Sequence, residues 1–291
     1  MRIRRPQCIP SCSSRQWVDE DEGHFWREKT RHEEVAWEFN LTHVISQRAQ
    51  CFANAMVGPR SWIGGLFFRS SNKRQGHVEK TSDYSLTPRQ EQSLHRLQER
   101  LQVPFDETCS YHQEALKALW CAAFPDIELR GLISEQWKDM GWQGANPSTD
   151  FRGCGVISLE NLLFFAQYYP TSFRRLLFKL DGKRATWEYP FAVAGINVTF
   201  MLIQMLDLYS AKPKSLPGIN FLKILSADED AFDVLYCIAF AMMDAQWLAM
   251  RASYMDFNEV LRVSRIQLER ELSLEVVLRI RDLPALILLY R

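Results

Sequence analysis

The chain carries no net charge, because 35 Lys and Arg balance 35 Asp and Glu over 291 residues. With no global field, function does not rest on bulk attraction to nucleic acid or an anionic membrane, and any charged site must be local. A CxxC pair is also missing. The seven cysteines, at 8, 12, 51, 109, 121, 154 and 237, are odd in number and scattered, which reads as reduced thiols. A zinc module needs two close ligand pairs, and Cys8 with Cys12 has no second pair, so no metal is expected. Neither GxxxxGK[ST] nor a GxGxxG after a strand occurs, so no nucleotide cradle and no bound cofactor are expected. Uninterrupted apolar runs are scarce as well. Tyr189 to Leu206 lacks charge and nears bilayer length, the only such candidate, yet Pro190, Gly195, Asn197, Thr199 and Gln204 break it and Asp207 follows. A buried core helix is expected there, and no transmembrane segment.

What is present is a hydrophobic share of 47%, enough for a substantial core. The first residues carry Arg2, Arg4, Arg5 and Arg15 with no acid before Asp19 and no apolar core of a secretory signal. They read as a basic tail, with a transit peptide as the alternative. Residues 1–85 are expected to be a poorly ordered extension and linker. Within it, WIGGLFF at 62–68 is an apolar patch expected to dock on the main body or touch a membrane surface.

From Leu86 the punctuation is helical. Thr87, Pro88 and Gln90 form a capping-box start, followed by a Leu94, Leu97, Leu101 stripe. Ser110 with Gln113 suggests a second start, and Ser134 to Gly141 a third, short helix with Trp137 and Met140 inward. Ser158 is expected to cap the next helix, and Pro170 to break it. Thr171 is expected to start another helix that Gly182 ends, followed by apolar helices near 190–208, 220–225 and 231–250 and a last one at 256–272. Strand alternation is nearly absent, so the expected class is all-α: a multi-helix domain over 86–284 with a short tail at 285–291.

One stretch resists this scheme: GWQGANPSTDFRGCG, residues 141–155. Gly141, Gly144, Gly153 and Gly155 permit unusual backbone angles or close approach. Pro147, Ser148, Thr149 and Asp150 are turn formers. Trp137, Trp142 and Phe151 supply anchors, which leaves Arg152 as the polar group presented, with Asp150 two positions before it to orient the guanidinium. On these residues alone Arg152 reads either as a staple bonding its own loop or as a group reaching a ligand.

The stretch WKDMGWQGANPSTDFRGCGVISLENLLFFA resembles the signature of the ELMO (engulfment and cell motility) domain family. Trp137, Gly141, Gln143, Gly144, Pro147, Thr149, Asp150, Phe151, Arg152, Gly153 and Gly155 fit the pattern of its GTPase-activating members. Trp142 stands where phenylalanine is usual and Asn146 where aspartate is usual. Similarity extends to HQEALKALWCAAFP, WEYPFAVAGINVTFMLIQMLDL and WLAMRASYMDFNEVL, the last two resembling plant members. The resemblance implies a helical domain over about 86–284 that activates GTP hydrolysis by small GTPases of the Arf and Arf-like group. Arg152 would be the catalytic finger, and Trp137, Gly141, Gln143, Gly144, Pro147, Thr149, Asp150, Gly153 and Gly155 would provide loop support or GTPase contact. GTP and Mg²⁺ would be held by the partner. Nucleic acid is not an implied partner, and a cytoplasmic protein recruited to membranes by a lipid-anchored GTPase is the matching expectation. The alternative is a non-catalytic adaptor. Longer family scaffolds carry repeats ahead of the domain and a lipid-binding domain with a PxxP tail behind it; no PxxP occurs among the twelve prolines here, and the arginine is retained.

Overall fold

The computed structural model describes residues 84–184 and 188–291. The expected extension, including WIGGLFF, lies outside the described residues apart from Tyr84 and Ser85. Among the described residues the elements are eight α-helices and five short 3-10 helices, with no strand. The α-helices are α1 Pro88–Leu101, α2 Ser110–Ala123, α3 Ile157–Tyr168, α4 Pro170–Leu177, α5 Phe191–Met205, α6 Leu216–Ala227, α7 Ala231–Ala249 and α8 Phe257–Leu272. The all-α expectation holds.

Apolar content sorts the helices into layers. α5 and α7 are apolar on nearly every face and are buried almost throughout, as such helices must be in water. α7 packs on α3, α5, α8 and the C-terminal 3-10 helix Pro284–Leu289. The remaining helices bury one face each. α1 does so through Leu94, Leu97 and Leu101, and its capping box forms as expected, with the Gln90 N–H donating to Thr87 Oγ1 and the Thr87 N–H to Gln90 Oε1. Among the described residues, the helix that is long and apolar enough to cross a bilayer is α7, not the 189–206 run, whose helix stops at 15 residues. α7 is a core helix here, and two of its carboxylates are paired. Asp233 meets Arg100 of α1 at 2.8 Å, and Asp244 meets Arg184 at 2.8 Å while accepting from the Tyr189 hydroxyl at 2.6 Å.

Several helix ends differ from expectation. Cys109, not Ser110, is the N-cap of α2, and Gln113 reaches back to the Glu107 carbonyl instead of forming a capping box. Ser158 lies inside α3, buried, donating to the Gly155 carbonyl at 2.9 Å. The preceding loop already delivers the α3 amides in helical geometry, so no side-chain cap is used. Pro170 does break α3, but it also opens α4, which ends at Leu177, before Gly182, through Lys179 at φ 53°.

Residues 285–291, read as a tail, contain most of the Pro284–Leu289 helix, with Ala285, Leu288 and Leu289 buried. Arg175 holds this segment by donating to the carbonyls of Leu288 at 2.7 Å and Arg291 at 2.8 Å. Glu271 of α8 holds its other end, accepting the Ala285 N–H at 3.0 Å and the Gln267 amide at 3.0 Å. Burial pushes the Glu271 carboxyl above its ordinary 4.5, against those two hydrogen bonds, which act downward. The folded protein therefore holds this proton to higher pH than the unfolded chain. Its contribution to stability is full below the unfolded value and is lost as pH rises through the folded one. Denaturant titrations between pH 4 and 7 should show Glu271→Gln gaining stability on the wild type as pH rises, and parallel curves would contradict this.

Candidate functional site

Residues 135–153 form two short 3-10 helices joined by a tight crossing, and the 141–155 stretch begins where the first of them ends. The first, Glu135–Met140, starts at Ser134, whose hydroxyl accepts from the Gln136 N–H, and ends at Gly141 in the left-handed region at φ 85°. A Cβ on Gly141 would lie 2.4 Å from the Phe191 nitrogen, so only glycine lets this corner press against the start of α5. The Gly141 carbonyl then accepts the Val193 N–H at 3.3 Å.

The second 3-10 helix, Pro147–Gly153, carries the arginine. Asn146 caps it, its side-chain oxygen accepting the Ser148 N–H at 3.0 Å while its carbonyl accepts from the Thr149 hydroxyl at 3.0 Å. The capping atom is one oxygen, which an amide supplies as well as a carboxylate does. Asn146→Asp should therefore change stability by less than about 0.5 kcal/mol, and Asn146→Ala should cost about 1 kcal/mol. Equal losses in thermal melts of the two variants would contradict the cap.

Beneath the helix, Phe151 is buried, stacked on Phe105 with centroids 4.5 Å apart and edge-on to Trp142 at 5.1 Å. Trp142 meets Trp137 edge-on at 6.1 Å, and Trp137 donates to the Leu132 carbonyl at 3.1 Å. This aromatic column fixes the helix from below, as the anchor residues suggested. The exit is fixed by Gly155 at φ 67°, where a Cβ would lie 2.3 Å from the Val103 carbonyl oxygen. That oxygen accepts the Val156 N–H at 3.0 Å. Cys154 is buried beside it, its thiol 3.7 Å from the Ile196 carbonyl and pushed up to about 12 by burial, an inert packing group.

The polar residues divide differently from the sequence reading. Asp150 does not orient Arg152. Its carboxylate accepts the Gln143 N–H at 3.0 Å, tying the crossing to the second helix. In a 3-10 helix of three residues per turn, positions two apart point about 120° away from each other, so Asp150 turns toward the loop and Arg152 turns out. Burial pushes the Asp150 carboxyl upward, opposed by hydrogen bonds from Gln143 and Thr149. Arg152 is exposed, and among the described residues its guanidinium has no ion pair and no loop carbonyl as hydrogen-bond partner. The staple reading is thereby not what the fold uses.

The four glycines also split. Gly141 and Gly155 are required by φ and by backbone approach, whereas a Cβ on Gly144 or Gly153 would meet nothing within 4 Å. Beside Arg152 and Gly153 runs an open groove of about 410 Å³, walled by the 101–105 segment and by Tyr209 from the loop after α5. Tyr209 carries no sequence signal that would single it out.

The ELMO/CED-12 family model matches residues 95–261, more than half of the chain and all of this loop. The chain belongs to the ELMO/CED-12 family. It is 33% identical over 189 residues to ELMO domain-containing protein A of Dictyostelium discoideum, covering 57% of this chain and 19% of that protein. Over 168 residues it is 32% identical to ELMO domain-containing protein 2 of Mus musculus, covering 57% and 55%. Engulfment and cell motility protein 3 of Rattus norvegicus is 29% identical over 196 residues, covering 63% and 27%. The ELMO region here thus spans between 19% and 55% of these relatives' own length.

Proposed function

We propose that this ELMO-family chain accelerates GTP hydrolysis on a small GTPase of the Arf or Arf-like group, with Arg152 supplied in trans. The observation that carries the reading is an exposed arginine without a partner among the described residues, on a short helix pinned from below by an aromatic column. A rigid base limits the entropy lost when the guanidinium meets a phosphate. Family membership and the match of the loop residues point in the same direction.

In this mechanism GTP, Mg²⁺ and the attacking water belong to the GTPase. As the γ-phosphoryl group leaves, charge grows on the phosphate oxygens, and a planar guanidinium donating two N–H bonds stabilises it. Asp150 and Gln143 hold the loop. Neither acts as base or metal ligand. A non-catalytic adaptor is the second reading, favoured by the relatives in which the matched region is a small part of a longer chain. The two readings separate in single-turnover hydrolysis across a panel of Arf and Arf-like GTPases, with Rho-type proteins for comparison. Stimulation of at least one Arf-type member supports the proposal. Binding without stimulation supports the adaptor.

A further inference from the structure

The groove beside Arg152 has features that the fold itself does not need. Tyr209 is 63% exposed, yet its main chain is tightly held. The Gln98 side-chain amide of α1 donates to both flanking carbonyls, Leu208 at 2.8 Å and Ser210 at 3.0 Å. Leu208 is fully buried, and the turn closes through Asp207 at φ 53° with the Ser210 hydroxyl donating to its carboxylate. Ordering a loop in order to leave an aromatic ring in water gives the monomer little. Aromatic rings with a polar tip are, however, the typical anchors of protein interfaces.

Across the groove stands Gly153. No atom lies within 4 Å of where its Cβ would be, and its φ is not in the left-handed region. A glycine in a helical turn is less stable than alanine, so neither space nor backbone angle within the monomer calls for it. Room at that point is useful to something arriving from outside. Arg152 lines the same groove, so whatever fills it lies against the guanidinium.

We propose that this groove receives a main-chain loop of the nucleotide-loaded GTPase, with Tyr209 as the anchoring side chain and Gly153 as the open lip along which that loop runs. The inference rests on the proposed function, and it assigns the affinity for the partner to Tyr209 and Gly153 where the rate belongs to Arg152. The occupant is a partner protein carrying the phosphates because the groove is lined by Arg152, a cation with no ion-pair partner among the described residues, which selects for a surface that presents anionic oxygens.

The test measures the dissociation constant of the full chain for each GTPase of the panel, loaded with a non-hydrolysable GTP analogue. Tyr209→Ala and Gly153→Gln should each weaken binding at least about tenfold. Both should melt close to the wild type, since one side chain is exposed and the other position is open. Tyr209→Phe should retain most of the affinity, which a loss of loop structure would not permit. Arg152→Lys should bind within a fewfold of the wild type. If the wild-type chain binds a GTPase and the two variants bind it equally well, the groove assignment falls while the proposed function stands. Binding that depends on Tyr209 but comes without stimulated hydrolysis supports the groove and removes the catalytic reading. No binding to any panel member overturns both.

Discussion

Arg152→Lys is expected to abolish stimulated GTP hydrolysis while leaving the fold intact. An arginine supplied in trans accelerates hydrolysis by about 10³ to 10⁵, equivalent to roughly 4 to 7 kcal/mol of transition-state stabilisation. Lysine keeps the charge but loses the planar fork that bridges two oxygens, so most of that acceleration should vanish under single-turnover conditions. Because the side chain is exposed and makes no ion pair among the described residues, its replacement removes no internal contact. Melting temperature and helical circular dichroism should match the wild type. A variant that loses activity by unfolding would instead show both signals reduced.

The second large effect concerns stability. Gly155→Ala would force a Cβ to within 2.3 Å of the Val103 carbonyl oxygen at a φ of 67°, combining left-handed strain with a backbone clash that no rotamer relieves. The expected loss is about 3 kcal/mol, which lowers the melting temperature by about 6 to 12 °C for a domain of this size. Relief of the clash would push the 101–105 segment away, break the Val156 to Val103 hydrogen bond of 3.0 Å and reshape the groove beside Arg152. Gly153→Ala, two positions earlier, meets open space and should be neutral or slightly stabilising. Equal destabilisation by the two substitutions would contradict this account of the loop.

These two glycines show what was legible in the sequence. Their presence in GWQGANPSTDFRGCG marks a special loop, and the residue types flanking it give the anchors correctly: Trp137, Trp142 and Phe151 are all buried. Which glycine serves the chain's own backbone and which leaves space is not written in the letters, because it depends on Val103, some fifty residues away. The same holds for Asp150, whose partner follows from the pitch of a 3-10 helix that pattern reading does not distinguish from a loop. Helix periodicity and the Thr87 cap were readable because they are local. The α2 and α3 starts differ from the serines that have the right chemistry for a cap: Val156 already enters α3 in helical geometry, which leaves Ser158 inside the helix, and at α2 the extended cap position falls on Cys109, one residue before Ser110. Tyr209 was invisible for a related reason: one exposed tyrosine in a polar loop carries no signal until folding places it across a groove from Arg152.

The measurement that bears most directly on Arg152 is the affinity of the chain for an Arf-type GTPase loaded with GDP and fluoroaluminate, compared with the same GTPase loaded with a non-hydrolysable GTP analogue. A group that acts on transition-state charge binds the mimic in preference to the ground state, typically by about 10² or more. The wild-type chain should show that preference, and Arg152→Lys should lose it while still binding the GTP-analogue form. A preference of the same size in both proteins would contradict the role assigned to Arg152.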